Sequence, residues 1–225
     1  GWTANGGISG SNITFGSNVT GQSLTVSSGP TLTVTTANST AKAQIVSMDT
    51  TGNAVFTANF SNDNVDDVYI TSLTVTDTIG SSGSKTTFTN ATLEDENGVV
   101  LAGPVPLSFD TDSTTTSLAV FSISGSGFVV PKNSSRKLTV KANVPDLSSN
   151  AATSGSSHVF KIAANADVVA KSVNAPSATV MVSGAPKTGN TQTVYRTKLS
   201  LSSGVIDSST ERTRKSTDYL AWIKF

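Results

Sequence analysis

Lys137-Leu138-Thr139-Val140-Lys141-Ala142-Asn143-Val144 alternates polar and apolar residues with a period of two. In an extended chain this puts Leu138, Val140, Ala142 and Val144 on one face and the polar residues on the other. His158-Val159-Phe160-Lys161-Ile162-Ala163 repeats the pattern, with Phe160 and Ile162 sharing a face. Residues 70–75 and 179–182 give two more strands of the same kind. Gly/Ser/Asn/Asp turns separate them, at residues 80–84, 96–98 and 125–127. Asn97-Gly98 lies between two β-prone runs and predicts a hairpin with a type I′ turn, in which both central residues need positive φ. Many short strands joined by such turns predict an all-β, antiparallel sandwich. Phe56, Phe60, Leu73, Val75, Phe121, Leu138, Val140, Phe160, Ile162 and Val180 are its expected core.

Composition points the same way. Ser and Thr number 35 and 34 of 225 residues, while charged residues are 13%, about half the usual share. Strong helix formers are thereby replaced by β-compatible residues, which excludes a helical bundle. The chain has no Cys, so disulfides and thiolate chemistry are excluded. A Cys-free, Ser/Thr/Asn/Gly-rich β protein fits an extracellular, cell-surface location. No stretch nears the roughly 20 apolar residues of a transmembrane helix. No signal segment opens the chain, so either one was removed or the chain is a piece of something longer.

Charge is divided unevenly. Residues 1–120 hold ten acids and two bases, whereas residues 121–225 hold five acids and thirteen bases. Either folding interleaves the two halves, or the molecule has an acidic and a basic end suited to head-to-tail contact with a copy of itself. The basic half lacks interleaved aromatics, so nucleic acid is not an expected partner.

Three weak internal matches agree on one period. Residues 219–225 (Tyr219, Leu220, Ala221, Trp222, Ile223, Lys224, Phe225) match residues 54–60; residues 199–202 match 32–35; residues 12–18 match 178–184. The offsets, 165 to 167, divide the chain into the tail of a preceding unit (residues 1–30), a sandwich domain (31–184), and a linker with a C-terminal strand (185–225). An apolar strand such as residues 219–225 must pair with something, because an isolated strand is unstable and an open apolar edge aggregates.

Residues 52–77 and 129–144, with their Ala-Val-Phe-Thr-Ala strand, Asn/Asp-rich turn and Val-Val-Pro-Lys-Asn lead into the alternating strand, resemble the immunoglobulin-like repeats of large Ser/Thr-rich bacterial cell-surface proteins, S-layer-like ones included. The resemblance covers roughly residues 31–184. It implies an immunoglobulin-like β-sandwich, a surface location and a structural role, with no catalytic residues to transfer.

Catalysis is hard to build from these residues. His158 is the only imidazole, and the sequence reads it as a surface or strand-end residue; no serine sits in a nucleophile-elbow motif. Two Asp clusters supply the oxygen ligands that Ca²⁺ prefers: Asp63, Asp66 and Asp67 in one loop, Asp110 and Asp112 in another. The alternative for both is that Asx side chains build the turns. The function expected from all this is a structural subunit of an extracellular filament or cell-surface layer, a homopolymer joined head to tail by β-strand addition through Tyr219, Leu220, Ala221, Trp222, Ile223 and Phe225. No cofactor beyond Ca²⁺ is expected. The rivals are an adhesin or carbohydrate-binding sandwich and a phage or virion fibre protein.

Overall fold

The computed structural model describes residues 4–5, 12–13, 29–36, 43–63, 65–109, 115–125, 127–146 and 153–196. In chain order its strands are β1 (Ala4–Asn5), β2 (Asn12–Ile13), β3 (Thr31–Thr36), β4 (Gln44–Ser47), β5 (Thr50–Asn62) and β6 (Val68–Ile79). Then come β7 (Thr89–Asp95), β8 (Val100–Val105), β9 (Ser108–Phe109), β10 (Thr116–Ser122), β11 (Val129–Val130) and β12 (Ser135–Val144). The last are β13 (Ser156–Ile162), β14 (Val168–Ser172), β15 (Met181–Ser183), β16 (Lys187–Thr188) and β17 (Gln192–Tyr195). A single 3-10 turn, Asn165–Asp167, is the only helical element among the described residues.

β1 and β2 pair with each other. The rest form two sheets. One runs β15-β3-β5-β12-β7-β8, and the other β4-β17-β13-β6-β10-β9 with β11, β14 and β16 attached. Pairing is antiparallel except at two edges, where β15 joins β3 and β17 joins β4 in parallel. The molecule is an all-β, antiparallel sandwich. β12 carries the alternation that decides the fold: Leu138, Val140, Ala142 and Val144 are buried against the facing sheet. Of the ten expected core residues, nine are buried and Val180 is half-buried at the rim.

The centre of the larger sheet is β6, and its neighbours on both sides are interrupted. β13 pairs with its Ile79 half and β14 with its Val68 half, the 3-10 turn bulging out between them. On the opposite side β10 and β11 divide β6 in the same way. β16 and β17 lie beyond residue 184, where the sequence places the end of the sandwich, yet both pair with β13 and Val194 is fully buried. The sandwich therefore extends to Tyr195.

The β7–β8 hairpin forms at Asn97-Gly98 as expected, but with a different turn. Gly98 alone has positive φ, 79°. Its N–H donates to the Asp95 carbonyl, and the Asp95 N–H donates to the Val99 carbonyl. That is a type I turn closed by a glycine bulge, not a type I′ turn. The Asp95 carboxylate selects it by accepting from the N–H groups of both Asn97 and Val99, each at 2.9 Å.

Folding interleaves the two charge halves. Arg136 reaches Glu96 at 2.7 Å and Asp95 at 3.6 Å, and Lys141 reaches Glu94 at 2.6 Å. Arg136 also lies 4.4 Å over the Phe128 ring, closing one end of the core.

Candidate functional site

The Asp63, Asp66 and Asp67 loop follows β5, and each carboxylate has its own donors. Asp63 accepts from the Thr31 N–H at 2.7 Å and the Val65 N–H at 3.0 Å. Asp67 accepts from the Lys132 N–H at 2.8 Å. Asp66 accepts from the Ser172 hydroxyl, from the Asn174 N–H at 3.0 Å and from the Asn174 side chain at 2.6 Å. Three neighbouring acids thus clasp three distant segments: the start of β3, the turn before β12 and the loop after β14. No group of three or more His, Cys, Asp or Glu among the described residues is arranged to hold a metal. Asp110 and Asp112 lie outside the described residues.

Asp66 also lines an open cleft of about 380 Å³ with Gly29, Pro30, Val65, Ser172 and Asn174. The Ser172 hydroxyl is the main reason its carboxyl titrates below the ordinary value of 3.8, the Asn174 and Asp67 donors adding to it against partial desolvation. At Asp95 desolvation is the largest single influence and works upward, but the Val99 and Asn97 donors and the Arg136 charge together outweigh it and lower the pKa. A carboxyl lowered on folding stabilises the native state above its unfolded pKa, and that contribution is lost as pH falls through its folded value. Stability should therefore decline below about pH 4. Urea midpoints measured against pH will show this, and Asp66→Asn should flatten the acid limb; an unchanged limb would remove Asp66 from the explanation.

The second cluster is the one the sequence did not reveal. His158 is fully buried inside the sandwich, not at its surface, and its Nδ1 lies 2.8 Å from Asp77 Oδ2. The reason is parity. His158 stands two and four residues before Phe160 and Ile162, so β13 turns all three inward. Asp77 stands two residues after Val75 on β6 and is 1% exposed. The buried Ser117 hydroxyl donates to the same Asp77 oxygen at 3.4 Å, and the Phe88 ring stands edge-on to the imidazole at 5.0 Å. His158 Nε2 and Asp77 Oδ1 find no hydrogen-bond partner among the described residues.

A nucleophile relay needs the serine hydroxyl on the imidazole nitrogen opposite the carboxylate. Here Ser117 donates to the carboxylate itself, and Gly83 stands beside Nε2, close enough that a Cβ there would lie 3.3 Å from it. The cluster's chemistry is that of a buried polar tie between β6, β10 and β13.

The assembly strand, Tyr219, Leu220, Ala221, Trp222, Ile223 and Phe225, lies outside the described residues, as do residues 199–202. What the structure fixes is where the chain meets the sandwich. Thr31 is hydrogen-bonded to Asp63, beside the Asn62 end of β5. Tyr195 accepts from the Met48 N–H, beside the Thr50 end. β5 has 13 residues, so entry and exit are separated by about 40 Å.

These features define an antiparallel β-sandwich whose buried and loop acids tie strands together, entered at one end and left at the other. No family model matches the chain, and no curated protein matches it. Among solved structures, one titled "AvmM Catalyzes Macrocyclization in Alchivemycin A Biosynthesis" aligns over 77% of this chain and 92% of that one, with 8% identity and a TM-score of 0.37. At that level the likeness carries nothing about activity. No helix among the described residues is long and apolar enough to cross a membrane.

Proposed function

We propose that this chain is a structural subunit of an extracellular filament or cell-surface layer, built from copies joined head to tail by β-strand addition. One observation carries the reading: the polypeptide enters the sandwich beside Asn62 and leaves it beside Thr50, at opposite ends of β5. A segment leaving one end of one copy is thereby directed toward the entry end of the next. The sequence of residues 219–225 alternates Tyr219, Ala221, Ile223 and Phe225, a row that an open sheet of the next copy would bury, main-chain hydrogen bonds giving affinity. The immunoglobulin-like cell-surface repeats that the sequence resembles imply a structural role at a cell surface, which agrees with this reading.

Sedimentation velocity and negative-stain microscopy over a wide concentration range test the reading. The full chain should form linear assemblies. Deletion of residues 218–225 should leave a folded monomer with an unchanged melting temperature. A full chain that stays monomeric throughout, or a deletion variant that cannot fold, would mean that the tail closes its own sandwich.

A further inference from the structure

We infer that Asn97 is a site of spontaneous deamidation that Asp95 holds closed in the folded protein, by binding both groups that would have to react. The chemistry needs no enzyme and no cofactor. The Gly98 backbone nitrogen, its proton lost to solvent, bonds to Asn97 Cγ; the Cγ–Nδ2 bond breaks and ammonia leaves with a proton from water. Water then opens the succinimide ring at either carbonyl, which leaves aspartate or isoaspartate in place of Asn97. Asparagine followed by glycine is the reactive pairing, because no Cβ stands beside the attacking nitrogen.

Asn97 and Gly98 are exposed at the tip of the β7–β8 hairpin, so water and base reach them and protection has to come from the turn itself. One residue supplies it. The Gly98 N–H, which carries the nucleophile, donates to the Asp95 carbonyl at 3.1 Å. Asn97 Nδ2, the leaving group, donates to Asp95 Oδ2 at 3.4 Å. The Asn97 and Val99 N–H groups both donate to Asp95 Oδ1 at 2.9 Å, which fixes the chain on either side of Gly98. Arg136 Nη2 lies 3.6 Å from Asp95 Oδ2 and steadies the carboxylate from β12. Joining Gly98 N to Asn97 Cγ requires both donors to leave Asp95 together. Charge-assisted bonds are the stronger kind, and the loss of one is enough to change a rate by roughly tenfold.

The product does not suit the turn. A carboxylate at residue 97 has no proton to donate to Asp95 Oδ2. It also adds a third acid beside Asp95 and Glu96, which already share Arg136 as their cation. Isoaspartate goes further, because it routes the main chain through the side-chain carbon and lengthens a segment whose N–H groups are bound on both sides. Deamidation therefore loosens the hairpin that carries β8, and the contacts of Asp95 guard that edge of the smaller sheet as well as one side chain.

Peptide mapping by mass spectrometry tests this on the full chain held in mildly alkaline buffer, and reads Asn97 separately from the other Asn-Gly pair, Asn5-Gly6. In the folded wild type, Asn97 should deamidate at least roughly tenfold more slowly than in the same chain kept unfolded in urea. Asp95→Ala should lose most of that difference. Asp95→Asn, which keeps an acceptor for the Asn97 and Val99 N–H groups, should retain most of it. Equal rates with and without urea would overturn the guard. So would a folded Asp95→Ala that deamidates no faster than wild type, and a slower one would make the carboxylate a base that promotes the reaction. Should Asp95→Ala fail to fold, hydrogen exchange at the Gly98 N–H of the wild type decides. Protection in step with the slowed deamidation supports the proposal, and exchange at the rate of an open peptide overturns it.

Discussion

Replacing Asp77 with alanine is expected to cost about 3–5 kcal/mol, the penalty for removing one partner of a buried pair. For a chain of this size that lowers the melting temperature by roughly 6–20 °C. The reason is what the substitution leaves behind. His158 is 0% exposed and, without Asp77, neither ring nitrogen has a described partner; the Ser117 hydroxyl loses its acceptor as well. His158→Ala strands the Asp77 carboxylate in the same way, with Ser117 at 3.4 Å as its remaining side-chain donor. Replacing all members together behaves differently, because well-packed apolar groups need no partners. Asp77→Leu, His158→Leu and Ser117→Ala combined should recover most of the loss made by either single alanine change, since apolar replacement of a whole buried pair is often neutral or better. Denaturant unfolding of the two single variants and the triple variant checks this. Single variants within about 0.5 kcal/mol of wild type, the range of ordinary surface changes, would show that the pair holds nothing together.

Most of the sandwich was legible because alternation is a direct reading of which side chains face the core. It succeeded on β12, β13 and most of β6. The same rule already contained His158, which shares its parity with Phe160 and Ile162, and Asp77, which shares its parity with Val75. Alternation alone does not place either inside, because burial of an ionisable group is unfavourable unless a partner is present, and the partner lies 81 positions away. Other features had no local signal. The register shift opposite Val169 and Ala170 inserts an extra residue into β6 and changes its inward parity in mid-strand, from Val68 and Ile70 to Leu73 and Val75, and β17 is a four-residue strand whose pairing in parallel with β4 spans almost 150 positions. The Asp63, Asp66 and Asp67 loop was legible as a cluster of acids, but the donors that occupy it come from Thr31, Lys132, Ser172 and Asn174. Only the fold brings those together.

Phe88 carries the second large effect, and it too comes from a stretch with no alternating pattern. It precedes β7 directly, after a loop whose Thr87 N–H donates to the Ser84 carbonyl at 3.0 Å and whose Ser84 N–H donates to the Thr87 hydroxyl at 3.2 Å. Those bonds fix the backbone and turn the Phe88 ring inward, where it is 1% exposed. The ring meets Phe160 edge-on at 5.3 Å and His158 edge-on at 5.0 Å, the arrangement that sets the positive edge of one ring against the negative face of another. Phe88→Ala is expected to cost about 3–5 kcal/mol, as transfer free energy and an unfilled cavity add together. Phe88→Leu keeps most of the volume and should cost less than half of that. A double-mutant cycle with Phe160→Leu should show a coupling of roughly 0.5–1.5 kcal/mol from the ring contact. The cavity left by alanine would also adjoin the imidazole, so water entering it could hydrate a polar group that is buried in the native protein. Part of the Asp77→Ala penalty should then vanish in the Phe88→Ala background. Strictly additive losses for Phe88→Ala and Asp77→Ala would show that the ring covers the core without sealing the buried pair.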